Sequence, residues 1–190
     1  MQGETMQNEL TMRRAEPEEA ARVLEILEDG KRSIARFGIE QWQHGYPNLS
    51  SVEADLAQGA CWVAEDEGGR LVGTLALCFD TDPEYTAPEL TWLTPNENAA
   101  GEPTYAAIHR CATAAEALER GVMGFMFKAA EGIAAAAWRR SIRVDTHPGN
   151  RAMRSFLARQ GFSELAPFDL KTKDGTETDL TRIAYEKLVG

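Results

Sequence analysis

Two glycines three apart, Gly121 and Gly124, sit in the run EALERGVMGFMFKAAEG, where an apolar, strand-like segment gives way to an alanine-rich helical one. The first N–H groups of a helix have no internal partner, and the helix dipole places positive charge there. A strand that feeds such an end can hold a phosphate on backbone groups alone. The same glycines could instead let helix and strand pack closely. Two phosphate-loop patterns are excluded, because neither GxxxxGK[ST] nor GxGxxG occurs. For proton transfer the chain offers His109 inside TYAAIHRCATA, Asp145 and His147 at the end of SIRVDTH, and Asp82 and Glu84 in DTDPEYTAP. Imidazole suits acid–base work near neutral pH, and a positioned carboxylate can do the same work. Each residue also has a plainer role. His109 could be a hydrogen-bonded strand residue, His147 and Asp145 could fix a turn, and Asp82 and Glu84 could simply be solvated. Asn150 could cap a helix or touch a ligand. Arg151 and Arg154 after it could meet phosphates or form a solvated face. Trp42, Tyr46, Trp92 and Tyr105 could line a pocket or fill the core.

The elements that must position these residues follow from periodicity. Leu10–Ala15 reads as a strand. From Pro17 the run EPEEAARVLEILEDGKRSIARFG has acidic residues in its first turn and apolar Ala20, Val23, Leu24 and Leu27 at helical spacing. Gly30 is expected to break or bend this helix, and Gly38 to end it. IEQWQHGYP is an aromatic-rich connector. SSVEADLAQG reads as a short helix with a serine cap and a glycine stop. Cys61–Ala64 and Leu71–Phe79 flank DEGGR as a β-hairpin. The stretch from Asp80 to Pro103 is polar and holds four prolines. A loop of that length is expected to be functional, mobile or both. Thr104–Ala114 reads as a strand, Gly121–Trp138 as a helix, and Ser141–His147 as a strand. PGNRAMRSFLARQG is a helix stopped by Gly161, and Arg182–Val189 is a last strand. The unit from Tyr105 to Asp145 is expected to pair its strands in parallel. The Phe125–Phe127 run, with Ile133 and Trp138, reads as core. The order predicts an α/β architecture, helices packed on a central mixed sheet, with no internal repeat.

The chain has 190 residues, 43% of them hydrophobic and 26% charged, which suits an ordinary soluble domain. Residues 1–9 read as a loose tail and 10–190 as one domain. No apolar run is long enough for a membrane span or a signal peptide. Three cysteines, Cys61, Cys78 and Cys111, lie in apolar segments and read as buried thiols in a reducing cytoplasm. No Cys–His spacing suits zinc, so no metal is expected. A net charge of −10 argues against nucleic acid and is compatible with a cationic substrate such as an amine, although it also simply keeps a protein soluble.

The segments IHRCAT, ERGVMG, IRVDTHPGNRAM, LARQGF and RIAYEKL, in that order and spacing, resemble the GNAT superfamily of acyl-CoA-dependent N-acetyltransferases. GIEQWQHGYP and WVAEDEGGRLVGTLAL resemble the matching parts of one bacterial branch. The likeness runs from about Leu10 onward. It implies a mostly antiparallel mixed sheet whose fourth strand is bulged and splays from the fifth, flanked by helices. It implies acetyl-CoA as donor, with its pantetheine arm along Cys111, Ala112 and Thr113. Its pyrophosphate would lie on Leu118, Glu119, Arg120, Gly121, Val122 and Met123, with Asn150 also at the cofactor. This loop departs from the family pattern R/Q-x-x-G-x-G/A. Leu118 replaces Arg/Gln, Met123 replaces a small residue, Glu119 adds a carboxylate, and Gly124 lies one position late. Leu157 stands where the family often has a proton-donating Tyr. Arg154 could add a phosphate contact. Trp42, Tyr46, Trp92 and Tyr105 would then line the acceptor pocket, and His109, Glu84 or His147 would serve as base. The implied partner is a small-molecule amine or a peptide, and a homodimer is compatible with the resemblance. Two other readings stay open: an acyl-CoA-binding module without turnover, and a domain that lost the cofactor and binds a protein.

Overall fold

The structure is a computed structural model that describes residues 9–171 and 178–190. Residues 1–8 of the expected tail lie outside the described residues. Among the described residues, seven strands form one sheet in the order β1-β2-β3-β4-β5-β7-β6. In chain order these are β1 Thr11–Arg14, β2 Cys61–Glu65, β3 Leu71–Cys78, β4 Tyr105–Thr113, β5 Ser141–Thr146, β6 Ser163–Asp169 and β7 Thr181–Leu188. The helices are α1 Ala20–Ala35, α2 Leu49–Ala57, α3 Val122–Ala136 and α4 Arg151–Arg159. Every neighbouring pair is antiparallel except β4 and β5, which run parallel as the crossover through α3 requires. The expected mixed, mostly antiparallel α/β sheet is therefore the observed one.

Four local expectations change. Gly30 does not interrupt α1, which runs unbroken from Ala20 to Ala35. A Cβ there would come 2.9 Å from the Ala112 Cβ on β4, so the glycine serves close approach of helix to sheet. The cap of α2 is Asn48, whose side chain accepts from the Ser51 N–H, and not a serine. Trp138 is not core. It is 90% exposed, just beyond the end of α3. β6 has no counterpart in the sequence pattern. It is an edge strand with mostly exposed or half-buried residues, and its register shifts between Glu164 and Pro167. Proline is tolerated there because an edge strand need not donate every N–H, but it erases the alternation that marks a strand.

The long segment from Asp80 to Pro103 is anchored at its middle. Arg143 on β5 is fully buried, with its guanidinium 4.2 Å from the Trp92 ring centre and 3.9 Å from that of Tyr105. It donates to the Thr94 carbonyl at 2.7 Å and Asn96 Oδ1 at 2.6 Å, and it pairs with Glu186 at 3.2 Å. Glu186, also fully buried, accepts from Thr94 and Ser141 hydroxyls at 2.6 and 2.5 Å and from the Leu93 N–H. A buried arginine persists when every face of it is satisfied by charge, hydrogen bonds or aromatic rings. This cluster carries the segment across the sheet and brings its first turn, Pro83–Thr86, beside β4.

Candidate active site

β4 carries an extra residue at its centre. Thr74 pairs with Ala112 and Ala76 with His109, so Arg110 and Cys111 together oppose Leu75. Arg110 takes a positive φ of 46°, a left-handed conformation that a β-bulge imposes. The bulge turns its side chain away from the ladder. Arg110 donates to both Asp55 oxygens at 2.6 Å and to the Tyr46 hydroxyl at 2.7 Å, which ties α2 and the aromatic connector to β4.

β4 and β5 pair at Tyr105, Ala106 and Ala107 and then part. Ile108 through Cys111 face Val144 through Thr146 across a cleft of about 290 Å³. Its walls include Trp42 and Tyr46 from the connector, Asp82 and Glu84 from the long segment, and Asn150 and Met153 from the start of α4. The splay leaves strand backbone available to a ligand, since neither strand has its neighbour there.

β4 leads to a turn, Ala115–Ala117, and then to α3. α1 pins this turn. Asp29 accepts the Ala115 N–H at 2.8 Å, and Arg22 pairs with Glu116 at 2.5 Å. Glu119 and Gly121 both have left-handed backbone, with φ of 65° and 75°. Gly121 is the cap of α3 and no side chain caps that helix start. The first helical bond runs from the Phe125 N–H to the Gly121 carbonyl at 3.0 Å, so the N–H groups of Val122, Met123 and Gly124 precede it. Val122 is buried and Met123 packs against the core, which leaves the backbone to make the surface of this helix end. The acetyltransferase (GNAT) family sequence model matches residues 20–162.

The chain belongs to the GNAT acetyltransferase family. Acetyl-CoA-dependent N-acetylation is the family's general reaction. A GNAT-family acetyltransferase from Streptococcus agalactiae 2603 is similar at 26% identity, with 95% of this chain and 96% of that one covered and a TM-score of 0.78. One from Listeria monocytogenes 4b F2365 shares the fold at 18% identity, with 95% of each chain covered and a TM-score of 0.67. A ribosomal-protein-alanine N-acetyltransferase from Brucella melitensis shares it at 16% identity, with 94% of this chain and 99% of that one covered and a TM-score of 0.66. No curated protein matches the sequence. Among the described residues, no helix is long and apolar enough to cross a membrane, and no cluster of His, Cys, Asp or Glu could hold a metal ion.

In this GNAT chain, four of the acid–base candidates, His109, Asp82, Glu84 and Asp145, line the cleft. His109 Nε2 lies 2.9 Å from Asp82 Oδ2. Asp82 Oδ1 accepts the Glu84 N–H at 2.9 Å, and the Asp82 N–H donates to the Tyr105 hydroxyl at 2.8 Å. Burial alone pushes the Asp82 carboxyl up, but the His109 contact and the Glu84 N–H outweigh it and hold it below the usual carboxylate range. Asp145, which faces the same side, shifts the other way. Burial raises its pKa, and the charge of Asp82 adds to this. The charge of His109, Arg182 at 3.7 Å and the Tyr85 hydroxyl donating at 2.9 Å offset it only in part.

Asp145→Asn tests that penalty. A carboxyl raised on folding costs nothing below its unfolded value of about 3.9 and destabilises progressively as pH rises from there to its folded value. The variant is therefore expected to have the higher Tm at pH 7, with the gap closing as pH falls toward 4. Equal Tm values at pH 7 would show that His109, Arg182 and Tyr85 fully compensate the charge.

The cleft gathers Trp42, Tyr46, Glu84, His109, Cys111 and Asn150. It does not gather the rest. Trp92 and Tyr105 pack with Tyr85 and Phe168 behind Asp82, in a separate apolar cluster around Arg143. His147 has both ring nitrogens engaged: Nδ1 accepts the Gly149 N–H at 2.9 Å and Nε2 lies 2.7 Å from Asp179. It fixes the turn into α4. The Arg154 guanidinium is committed to Glu164, the Tyr185 hydroxyl and the Pro148 carbonyl at 3.1, 3.2 and 3.0 Å. Ala112 and Thr113 lie beyond the bulge, paired with Thr74 and Gly73 of β3. Asn150 caps α4 by accepting the Met153 N–H at 3.2 Å and donates its side-chain amide to Gln41 Oε1 at 3.3 Å, on one wall of the cleft. Sequence reasoning did not single out Arg110, Gln41, Thr146, Met153 or Arg182. Nothing in the local sequence marks them, because the bulge and the long-range pairing place them there.

Proposed function

We propose that this chain transfers the acetyl group of acetyl-CoA to a primary amine of a small molecule or peptide, by direct attack within a ternary complex. The observation that carries the reading is the cleft between the parted β4 and β5. It has the His109–Asp82 pair on one side and leads along β4 to the open N-terminus of α3. The residues fit the donor through backbone groups. The unpaired edge from Ile108 to Cys111 suits an extended amide-bearing arm, and the N–H groups of Val122, Met123 and Gly124 behind Gly121 suit a pyrophosphate. The exposed Glu119 and Leu118 add no positive charge, so the cradle rests on backbone, the helix dipole and the exposed Arg120 that precedes Gly121. Acetyl-CoA supplies an acyl group activated by a thiol leaving group.

The protein's share of the chemistry is proton management and exclusion of water. With its Nε2–H held by Asp82, His109 takes the proton of the incoming ammonium at Nδ1. The acidic lining attracts that ammonium, and Trp42 and Tyr46 wall the acceptor side. Leu157 is fully buried in the core and cannot donate a proton, so protonation of the leaving group falls to solvent. The three free cysteines support a reducing compartment such as the cytoplasm.

Calorimetry with acetyl-CoA tests the reading, with Gly121→Asp beside the native chain. An aspartate at the cap would accept the same N–H groups that are assigned to the pyrophosphate and add a charge against it. Acetyl-CoA affinity should fall at least about tenfold while Tm shifts by only a few degrees, since capping offsets the strained φ. Thiol release with a panel of amines then separates enzyme from binding module. The absence of a tyrosine at Leu157 favours the module, and bound acetyl-CoA with no turnover on any amine would establish it.

A further inference from the structure

Three buried side-chain nitrogen or oxygen atoms among the described residues have no hydrogen-bond partner: Trp62 Nε1, Arg139 Nε and Thr146 Oγ1. Of the three residues, Thr146 alone lines the cleft. It is the last residue of β5 and is 1% exposed. A buried hydroxyl without a partner is costly to a fold, and such a group beside a cavity is often satisfied by what enters the cavity. The strand's alternation decides which side of the cleft it serves. Asp145 points to the face that carries Tyr85, while Thr146 follows Ile142 and Val144 to the opposite face, where α3 and α4 lie. Beside it along the cleft are Asn150 and Met153 at the start of α4. The carboxylates Asp82 and Asp145 and the His109 ring are on the other side.

We infer that Thr146 is a donor-binding residue: its hydroxyl hydrogen-bonds an amide of the arm that carries the acyl thioester, and it does not contact the acceptor amine. The assignment rests on the proposed acetyltransferase reading. A hydroxyl can both donate and accept, which matches an amide and is indifferent to an ammonium's charge. The contact also gives the parted strands a specific polar partner on the β5 side, where the backbone of β4 supplies the other.

Thr146→Val is the test, because valine keeps the shape and removes only the hydroxyl. Three quantities are measured: the Tm of the free protein, and the affinities for coenzyme A and for adenosine 3′,5′-diphosphate, which lacks the arm. Since the hydroxyl has no partner among the described residues, the Tm of the free variant should equal or exceed that of the native chain. Coenzyme A should bind roughly three- to tenfold more weakly, the range a single neutral hydrogen bond gives, and Thr146→Ser should restore it. The affinity for the diphosphate should not change. A Tm lowered by several degrees would mean that the hydroxyl serves the fold, and would overturn the assignment. Unchanged coenzyme A affinity would overturn it alone and leave the acetyltransferase reading intact, as would an equal loss with the diphosphate. A native chain that binds neither probe would overturn both.

Discussion

Replacing His109 by Gln is expected to lower kcat by about two to four orders of magnitude, the usual worth of a positioned general base, with acetyl-CoA affinity unchanged. The expectation follows from where the ring is held. It sits on β4 one residue before the bulge, within 2.9 Å of a carboxylate that two backbone N–H relationships lock in place. Asp82 stays ionised well into acid because of that contact, so its carboxylate is present to orient the ring throughout the working range. Asp82→Asn should then reduce kcat by less than His109→Gln does, since it removes the orienting charge but not the atom that takes the proton. The pH profile separates a base from a packing residue. The native rate should rise with pH on the acid side, and His109→Gln should lack that limb. A kcat within fivefold of native, with the limb intact, would move the base to another group, and Glu84 would be the next to test.

Arg143→Met should be the most damaging change to the fold, destabilising it by about 3–5 kcal/mol, as expected when one partner of a buried ion pair is removed. The pair is fully desolvated, and Glu186 would be left with hydroxyl and amide donors but no cation. The guanidinium is also the filling between Trp92 and Tyr105, so their stack collapses with it. For a chain of this size the loss corresponds to a Tm lower by roughly 6–20 °C. The double variant Arg143→Met with Glu186→Gln should recover part of it, because the stranded charge goes too. Chemical denaturation of the three proteins measures this directly. A single-variant loss below about 1 kcal/mol would mean that water reaches Glu186. Turnover should also fall, since Arg143 anchors the segment that supplies Asp82 and Glu84.

The elements of this protein were largely legible in its sequence. Apolar runs, helical spacing and the caps and glycine stops that bound them marked β1 to β5, β7 and all four helices, because the central strands are buried on both faces and the helices pack onto them. The glycines at 121 and 124 after an apolar strand marked the helix end. The order of segments, with the family likeness they carry, pointed to a parted β4 and β5. β6 was illegible because it lies at the sheet edge, carries Pro167 and buries little. Trp138 misled in the opposite sense: an aromatic at the end of an apolar helix is usually core, but here the helix has already ended and the side chain faces out.

The site itself divided the same way. Residue type and strand position were enough to nominate His109, Asn150, Trp42 and Tyr46, since local chemistry and element order bear on them directly. Sorting His109 from His147, or Tyr46 from Tyr105, required the tertiary structure. Each pair has similar local sequence credentials, and what separates them is the partner each meets across the sheet: Asp82 for His109, Asp179 for His147, Arg110 for Tyr46 and Arg143 for Tyr105. Those partners come from 27 to 64 residues away along the chain. Arg110 reaches Tyr46 only because the β4 bulge, which the family likeness implied but no local residue pattern places, turns it out of the ladder. Sequence alone determined which groups could do the chemistry. The fold decided which of them share a cleft, because burial and pairing are properties of distant segments brought together, and no local pattern records them.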